Sequence, residues 1–312
     1  MSVINKFMRA VIKALSYPEI DIKKNYKIER FLTKAATPPI KSLYKMNDQK
    51  ISLNGREIPI RIFEPEKRLS NEILLFFHGG GWVSGDIDSY TRPCSALSKK
   101  TGRRVFSIDY RLAPEHPFPA GLLDCYTAAS ELINKSSKFD AKPDEIVLIG
   151  DSAGGNLAAA VSLMARDKQE FKVNRQILIY PSTYNDHSLS SPFASIKKYG
   201  TDYLLTYKKI CDYIDLYIQD KSDFTNPYFA PILSNDLSNQ PNTLIITAEF
   251  DPLRDEGEAY GRKLRAFGSN VKISRLADGL HGFFTLPSSF SHVKSCYKLI
   301  NNFLSKGDGF ER

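Results

Sequence analysis

The chain is poor in the residues that build covalently stapled or metal-stapled scaffolds. Its 312 residues include only four cysteines, Cys94, Cys125, Cys211 and Cys296. They are widely scattered, with no C-x-x-C pair and no histidine group beside them, which argues against a disulfide framework and against a zinc site. Reduced thiols in a cytoplasmic protein are the expectation. No window of about eighteen uninterrupted apolar residues exists, so neither a membrane span nor stable membrane insertion is expected. Blocks of like charge are missing too. The 43 basic and 35 acidic residues leave a net charge of +8, but Lys and Arg stand singly or in pairs such as Lys23-Lys24, Lys99-Lys100 and Lys197-Lys198. With no reading helix and no interleaved aromatic platform, the excess describes a solvated surface and not a nucleic-acid partner. The basic, apolar N-terminus lacks the features of a secretory signal, because Lys13 interrupts the apolar stretch and no A-x-A-like site follows. No internal repeat, low-complexity tract or long linker is seen.

A hydrophobic content of 42% in a chain of this length supports one large core, and α/β folds of this size commonly form a single elaborated domain. Lys50-Ile51-Ser52-Leu53 and Glu57-Ile58-Pro59-Ile60-Arg61-Ile62-Phe63 alternate in polarity around Asn54-Gly55, a type I′ hairpin signal. Beyond them, apolar strand runs near 73–77, 104–109, 145–149, 176–180, 243–248 and 271–276 alternate with helix candidates near 88–100, 119–135, 153–168 and 254–267. A last helix is predicted near 290–304. The alternation predicts an α/β fold, a mostly parallel sheet with helices on both faces and the hairpin adding antiparallel strands at one edge. Ligand sites in such sheets gather at the carboxyl ends of strands.

Three motifs fall at those ends. Ser152 lies in Gly150-Asp151-Ser152-Ala153-Gly154, between the apolar run Ile146-Val147-Leu148-Ile149 and the helix-like stretch that begins at Gly155. A bare G-x-S-x-G arises by chance in roughly one chain in ten of this length, so the context carries the reading. Between a buried strand and a helix it is a nucleophile elbow, whose tight turn lifts the hydroxyl out of the sheet edge. Upstream, Ile73-Leu74-Leu75-Phe76-Phe77 ends in His78-Gly79-Gly80-Gly81-Trp82. Alone, this could be a flexible turn; beside an elbow, the bare peptide N–H groups suit a developing oxyanion. Asp251 follows the strand pattern Thr243–Ala248, and His281 follows the short strand 271–276 through a turn signal at Asp278-Gly279. The order Ser, Asp, His is that of serine hydrolases with an elbow. Asp255 is the rival acid, one helical turn later and less naturally aimed at His281. His116, His187 and His292 read as ordinary surface or packing histidines.

The chain resembles the hormone-sensitive-lipase-like branch of α/β-hydrolases, the bacterial family IV esterases, from about residue 50 to the C-terminus. The resemblance is carried by five blocks: His78 to Trp82, Asp109 to Ala120, Gly150 to Asn156, Asp251-Pro252-Leu253 and His281-Gly282-Phe283. It implies an α/β-hydrolase fold with a helical cap. It also implies Ser152 as nucleophile, His281 as general base and Asp251 as its orienting acid, with Gly80, Gly81 and Ala153 donating backbone N–H groups to the oxyanion. Trp82, Asp151 and Tyr184 are candidate substrate-binding residues, although Asp151 could equally tie down the elbow. The stretch Arg111 to Ala120, with three prolines, reads as a rigid turn.

The activity so implied is hydrolysis of a small-molecule ester with a short or medium acyl chain through an acyl-enzyme, using no metal and no cofactor. A deacetylase or amidase would use the same machinery, and a non-catalytic ligand receptor could be built on the same fold. The interval from Tyr184 to Pro231 is too long for an ordinary connection and includes a tyrosine-rich helical stretch, Tyr207 to Tyr217. It is expected as a cap insertion near 184–231 in a catalytic domain of residues 46–312. Residues 1–45 are expected as an N-terminal helical cap segment. Their first helix would bear one apolar face (Val3, Ile4, Phe7, Met8, Val11, Ile12, Leu15) and dock on the enzyme, with a membrane surface as the other use of such a helix. Homo-oligomerisation stays open.

Overall fold

In the computed structural model, the described residues are 13–14, 16, 21–36, 44–53 and 56–305. The predicted first helix lies outside them apart from Lys13, Ala14 and Ser16, and so does the Asn54-Gly55 turn. Eight strands form one sheet: β1 (Met46–Leu53), β2 (Arg56–Phe63), β3 (Ile73–Phe77), β4 (Arg104–Ile108), β5 (Ile146–Asp151), β6 (Arg175–Ile179), β7 (Asn242–Phe250) and β8 (Val271–Leu280). Their order is β1-β2-β4-β3-β5-β6-β7-β8. The pairs from β4 through β8 are parallel, while β1 and β2 pair antiparallel with each other and β2 antiparallel with β4. This is the mostly parallel sheet that the sequence predicts, an α/β-hydrolase fold. Leu53 pairs with Arg56, so the hairpin closes through two residues.

The central strands are apolar without alternation because both their faces are covered. In β3, Leu75 and Phe77 join the core beneath α3 (Ala120–Asn134) and α4 (Ala153–Lys168). Leu74 and Phe76 point the other way, toward α2 (Thr91–Thr101) and α8 (Ser291–Ser305). A further helix, α7 (Arg254–Ala266), covers β7 and β8. Ahead of the hairpin lies α1 (Ile22–Ala36), kinked at Asn25. Between β6 and β7 the chain forms α5 (Ala194–Tyr199) and α6 (Tyr207–Tyr217), and α6 packs against α1.

The edge strand β8 departs from its expected length. The turn signal at Asp278-Gly279 is real, since Asp278 takes φ +58°, yet the chain does not leave the sheet there. Its pairing with β7 passes through an irregularity between Ala248 and Phe250 and resumes at Phe250–Leu280. A bulge of this kind bends a strand without ending it. The consequence is that Asp251 and His281 emerge side by side from neighbouring strands.

Candidate active site

The elbow is built by steric exclusion. Ser152 sits at φ +54°, ψ −119° between β5 and α4, a conformation that few L-residues adopt and one that persists only where the surroundings enforce it. Here its N–H donates to the Ile179 carbonyl at 2.9 Å, and its carbonyl accepts from Asn156 N–H at 3.0 Å. The turn can be this tight because Gly154 lies against β3, where a Cβ would run into the Phe77 carbonyl. The strained backbone holds the Ser152 hydroxyl up at the sheet edge.

From there a chain of side-chain hydrogen bonds runs across the edge. Ser152 Oγ is 2.9 Å from His281 Nε2, and His281 Nδ1 is 2.8 Å from Asp251 Oδ2. Asp251 is fully buried, and its second oxygen accepts the Leu253 N–H at 2.8 Å. A carboxylate so held fixes the imidazole tautomer, with Nδ1 carrying the proton and Nε2 free to accept from a serine hydroxyl. The rival acid is otherwise engaged: Asp255 accepts the Ser195 N–H at 2.8 Å and pairs with Arg254.

Gly80, Gly81, Trp82, Asp151, Ser152, Ala153 and His281 line one cavity of about 180 Å³, which the segment between β6 and β7 roofs with Leu205, Ile210 and Tyr213. Of the sequence-predicted residues, Tyr184 does not line it; its ring meets Phe193 edge-on and its N–H faces Glu256 Oε1 at 3.2 Å. Trp82 is buried and stacks on Tyr217, ring centroids 4.7 Å apart, so it contributes an apolar wall. Gly81 takes φ +61°, and a Cβ there would run into the Tyr213 ring. The loop is bare because the roof rests on it.

Asp151 faces downward and ties the parts together. It accepts the Gly79 N–H at 2.9 Å, the Tyr90 hydroxyl at 3.0 Å and the Tyr180 hydroxyl at 3.2 Å. Tyr180 in turn accepts the Phe284 N–H at 3.2 Å, and its ring packs on His281. One carboxylate thus anchors the glycine loop, the elbow and the histidine loop. Burial pushes its pKa up to about 6, against the hydrogen bond from Tyr90, the charge of His281 and the remaining donors. Beneath it, burial lowers the His78 pKa to about 4, so this histidine is neutral near pH 7 and stacks on Tyr110.

Three side chains make contacts that had no sequence signal. The Tyr213 hydroxyl donates to Glu29 of α1. Arg30 donates to the carbonyls of Val83 and Ala113, each at 2.6 Å, and pairs with Glu115 at 2.8 Å. His187 is a packing histidine, as its sequence context suggested, but a fully buried one whose Nε2 lies 2.7 Å from Glu256 Oε2. The Arg111 to Ala120 stretch is the turn that the sequence predicts, with Arg111 paired to Asp124 at 2.8 Å. It is also the surface on which Arg30 seats α1.

A hydrogen-bonded serine–imidazole–carboxylate chain at the carboxyl edge of a parallel sheet, under a roof and beside bare peptide groups, defines a class: a hydrolytic enzyme. The chain belongs to the alpha/beta hydrolase fold family, whose profile matches residues 74–285. An arylesterase of Saccharolobus solfataricus is 38% identical over 86% of this chain and 85% of its own length. The carboxylic ester hydrolase LipN of Mycobacterium tuberculosis is 40% identical over 74% of this chain and 62% of its own length. Among solved structures, a hyperthermophilic esterase from the archaeon Pyrobaculum calidifontis superposes with a TM-score of 0.84 at 31% identity, covering 99% of this chain and all of that one. No helix of the described residues is long and apolar enough to cross a membrane.

Proposed function

We propose that the protein is a carboxylic-ester hydrolase of the hormone-sensitive-lipase-like branch, acting on short- to medium-chain acyl esters through Ser152, His281 and Asp251. The observation that carries this reading is the continuous hydrogen-bonded chain from Ser152 Oγ to Asp251 at the wall of a largely apolar cavity. His281 takes the hydroxyl proton as Ser152 attacks the ester carbonyl, and Asp251 stabilises the imidazolium. The oxyanion is received by the N–H groups of Gly80, Gly81 and Ala153, each contributing on the order of 3 kcal/mol in the transition state. His281 then protonates the leaving alcohol, and water repeats the cycle on the acyl-enzyme. The names of the related arylesterase and carboxylic ester hydrolase support an ester as substrate.

The cap assignment extends the same reading. Residues up to about 45, with α1, and the insertion near 184–231 cover a catalytic domain of residues 46–312. Acyl groups of roughly two to eight carbons are the range that the resemblance to family IV esterases implies, and a cavity of about 180 Å³ is consistent with the steric exclusion of long ones. The test is intact-mass spectrometry after treatment with an organophosphonate, alongside turnover of chromogenic esters of increasing chain length. One adduct is expected, absent in Ser152→Ala, with a folded variant that has lost nearly all turnover. An adduct that persists in Ser152→Ala would assign the nucleophile elsewhere.

A further inference from the structure

α1 is oriented inside out. A surface helix ordinarily turns its apolar stripe to the core and its charged face to water. In α1, only Ile22 at the start is a buried apolar residue. The positions facing the enzyme are Tyr26, Glu29, Arg30 and Thr33, all partly buried, and polar bonds hold the helix in place. Glu29 receives the Tyr213 hydroxyl, Arg30 reaches the Val83 and Ala113 carbonyls and pairs with Glu115, and the Tyr26 hydroxyl lies 3.3 Å from Glu115. The outward face carries Ile28, Phe31 and Leu32, at 55%, 71% and 51% exposure. Their spacing of three and four residues makes one contiguous patch. Lys24, Lys27 and Lys34, all exposed, stand around it; Lys24 lies 3.4 Å from Asp21 and Lys34 3.6 and 3.8 Å from Asp86 and Asp88, pairs exposed enough to be screened and exchanged for phosphate. The helix as a whole has five basic residues against a single acidic one, Glu29, which is turned inward.

We infer that α1 is an interfacial docking element whose outward face adsorbs to lipid surfaces bearing anionic headgroups. An apolar strip a few residues wide within a cationic rim matches the depth profile of a membrane interface, with apolar side chains at the acyl boundary and ammonium groups among the phosphates. Charge selects this occupant over the alternatives. A second copy docking through the same face would bring two lysine-bearing rims together. Residues 1–12 of the chain include Lys6 and Arg9 and no acidic residue. Adsorption at this face would hold the cap side of the cavity against lipid, because the inward face of the same helix bonds to Tyr213 in the cavity wall.

The test is flotation of the full-length chain with vesicles of phosphatidylcholine, alone and with about one third phosphatidylglycerol. Retention on the anionic vesicles is expected, decreasing as salt is raised. The double variant Phe31→Glu/Leu32→Glu is expected to bind on the order of tenfold more weakly, and Lys24→Glu/Lys27→Glu to lose the preference for anionic lipid. Both should keep wild-type turnover of a soluble short-chain ester and wild-type circular dichroism. The inference is overturned if the full-length chain ignores anionic vesicles. It is equally overturned if the Phe31/Leu32 variant floats like the wild type, or if that variant abolishes self-association in a protein that never binds vesicles. The outcomes that overturn the inference are vesicle flotation and self-association, neither of which depends on ester hydrolysis, so the inference stands or falls apart from the proposed function.

Discussion

The floor and the roof of the cavity are held by different kinds of bond. In the floor, Ser152, Asp251 and His281 leave strand ends whose spacing is set by the backbone ladder, and Asp151 cross-links the adjoining loops from below. The roof, made of α1 and α6, is held mostly by side chains: Arg30 of α1 reaches the Val83 and Ala113 carbonyls, Tyr213 ties α6 to Glu29 of α1, and Tyr217 stacks on Trp82, with one backbone bond from the Phe118 N–H to the Tyr217 carbonyl. Backbone ladders are cooperative and tolerate little displacement, whereas a single side-chain hydrogen bond contributes only about 1 kcal/mol net. Chemistry that needs fixed geometry therefore sits on the ladder. On the proposed function, selection of substrate size, which gains from some yielding, falls to the roof.

The sharpest way to break this division is through the acid. Asp251→Asn is expected to lower kcat by about 10³- to 10⁴-fold by favouring the wrong imidazole tautomer, while Asp255→Asn, which only loosens the start of α5, should cost far less. Steady-state kinetics with one short ester decides it, and the reverse ranking would move the acid to α7.

Asp151 tests whether the floor is held electrostatically. Its folded-state pKa lies above the usual carboxylate value, so folding favours its protonated form. The stability it confers is complete below about pH 4 and is lost as pH rises toward and through 6. Asp151→Asn does not ionise, and thermal melts should show the variant gaining on the wild type by about 2–3 kcal/mol between pH 4 and pH 7. A pH-independent difference would mean that the buried carboxylate is already compensated in full.

The smallest effect is expected in the roof. Tyr213→Ala removes the ring above Gly81 and should leave kcat for acetyl esters within a few-fold. It should also raise kcat/KM for longer acyl chains relative to short ones by roughly tenfold, the discrimination that a hydrophobic wall supplies. A collapse of kcat with all substrates would place Tyr213 in the floor's machinery and erase the distinction.

The same division governs what the sequence made legible. Strands β3, β5, β6 and β7 could be read because burial on both faces demands unbroken apolar runs, and the motif residues could be read because they terminate those runs. Ser152, Asp251 and His281 carry local signals: glycines where backbones touch, an acid after a strand, a histidine after a turn. The roof carries none. Nothing around Glu29 announces Tyr213, almost two hundred residues away, and nothing around Glu256 announces His187. Such pairs exist only after the segments pack. Tyr184 shows the same limit from the other side: a candidate substrate-binding residue in the sequence, it gives its ring to Phe193. The true length of β8 was hidden as well, because a residue at positive φ reads as a turn whether or not the ladder resumes beyond it.

Because Phe250 pairs with Leu280, Asp251 and His281 keep their distance regardless of how far the chain travels between them. The excursion through α7 and back to β8 is free to vary in length, and residues added around Gly268 would leave the pair untouched. A slip of one residue in the pairing of β8 with β7 is another matter. It would carry His281 about 3.3 Å along the sheet edge and turn its ring to the opposite face. In evolution or in the laboratory, this enzyme can therefore absorb insertions between Asp251 and His281 much more readily than a single deletion inside the strand that precedes His281.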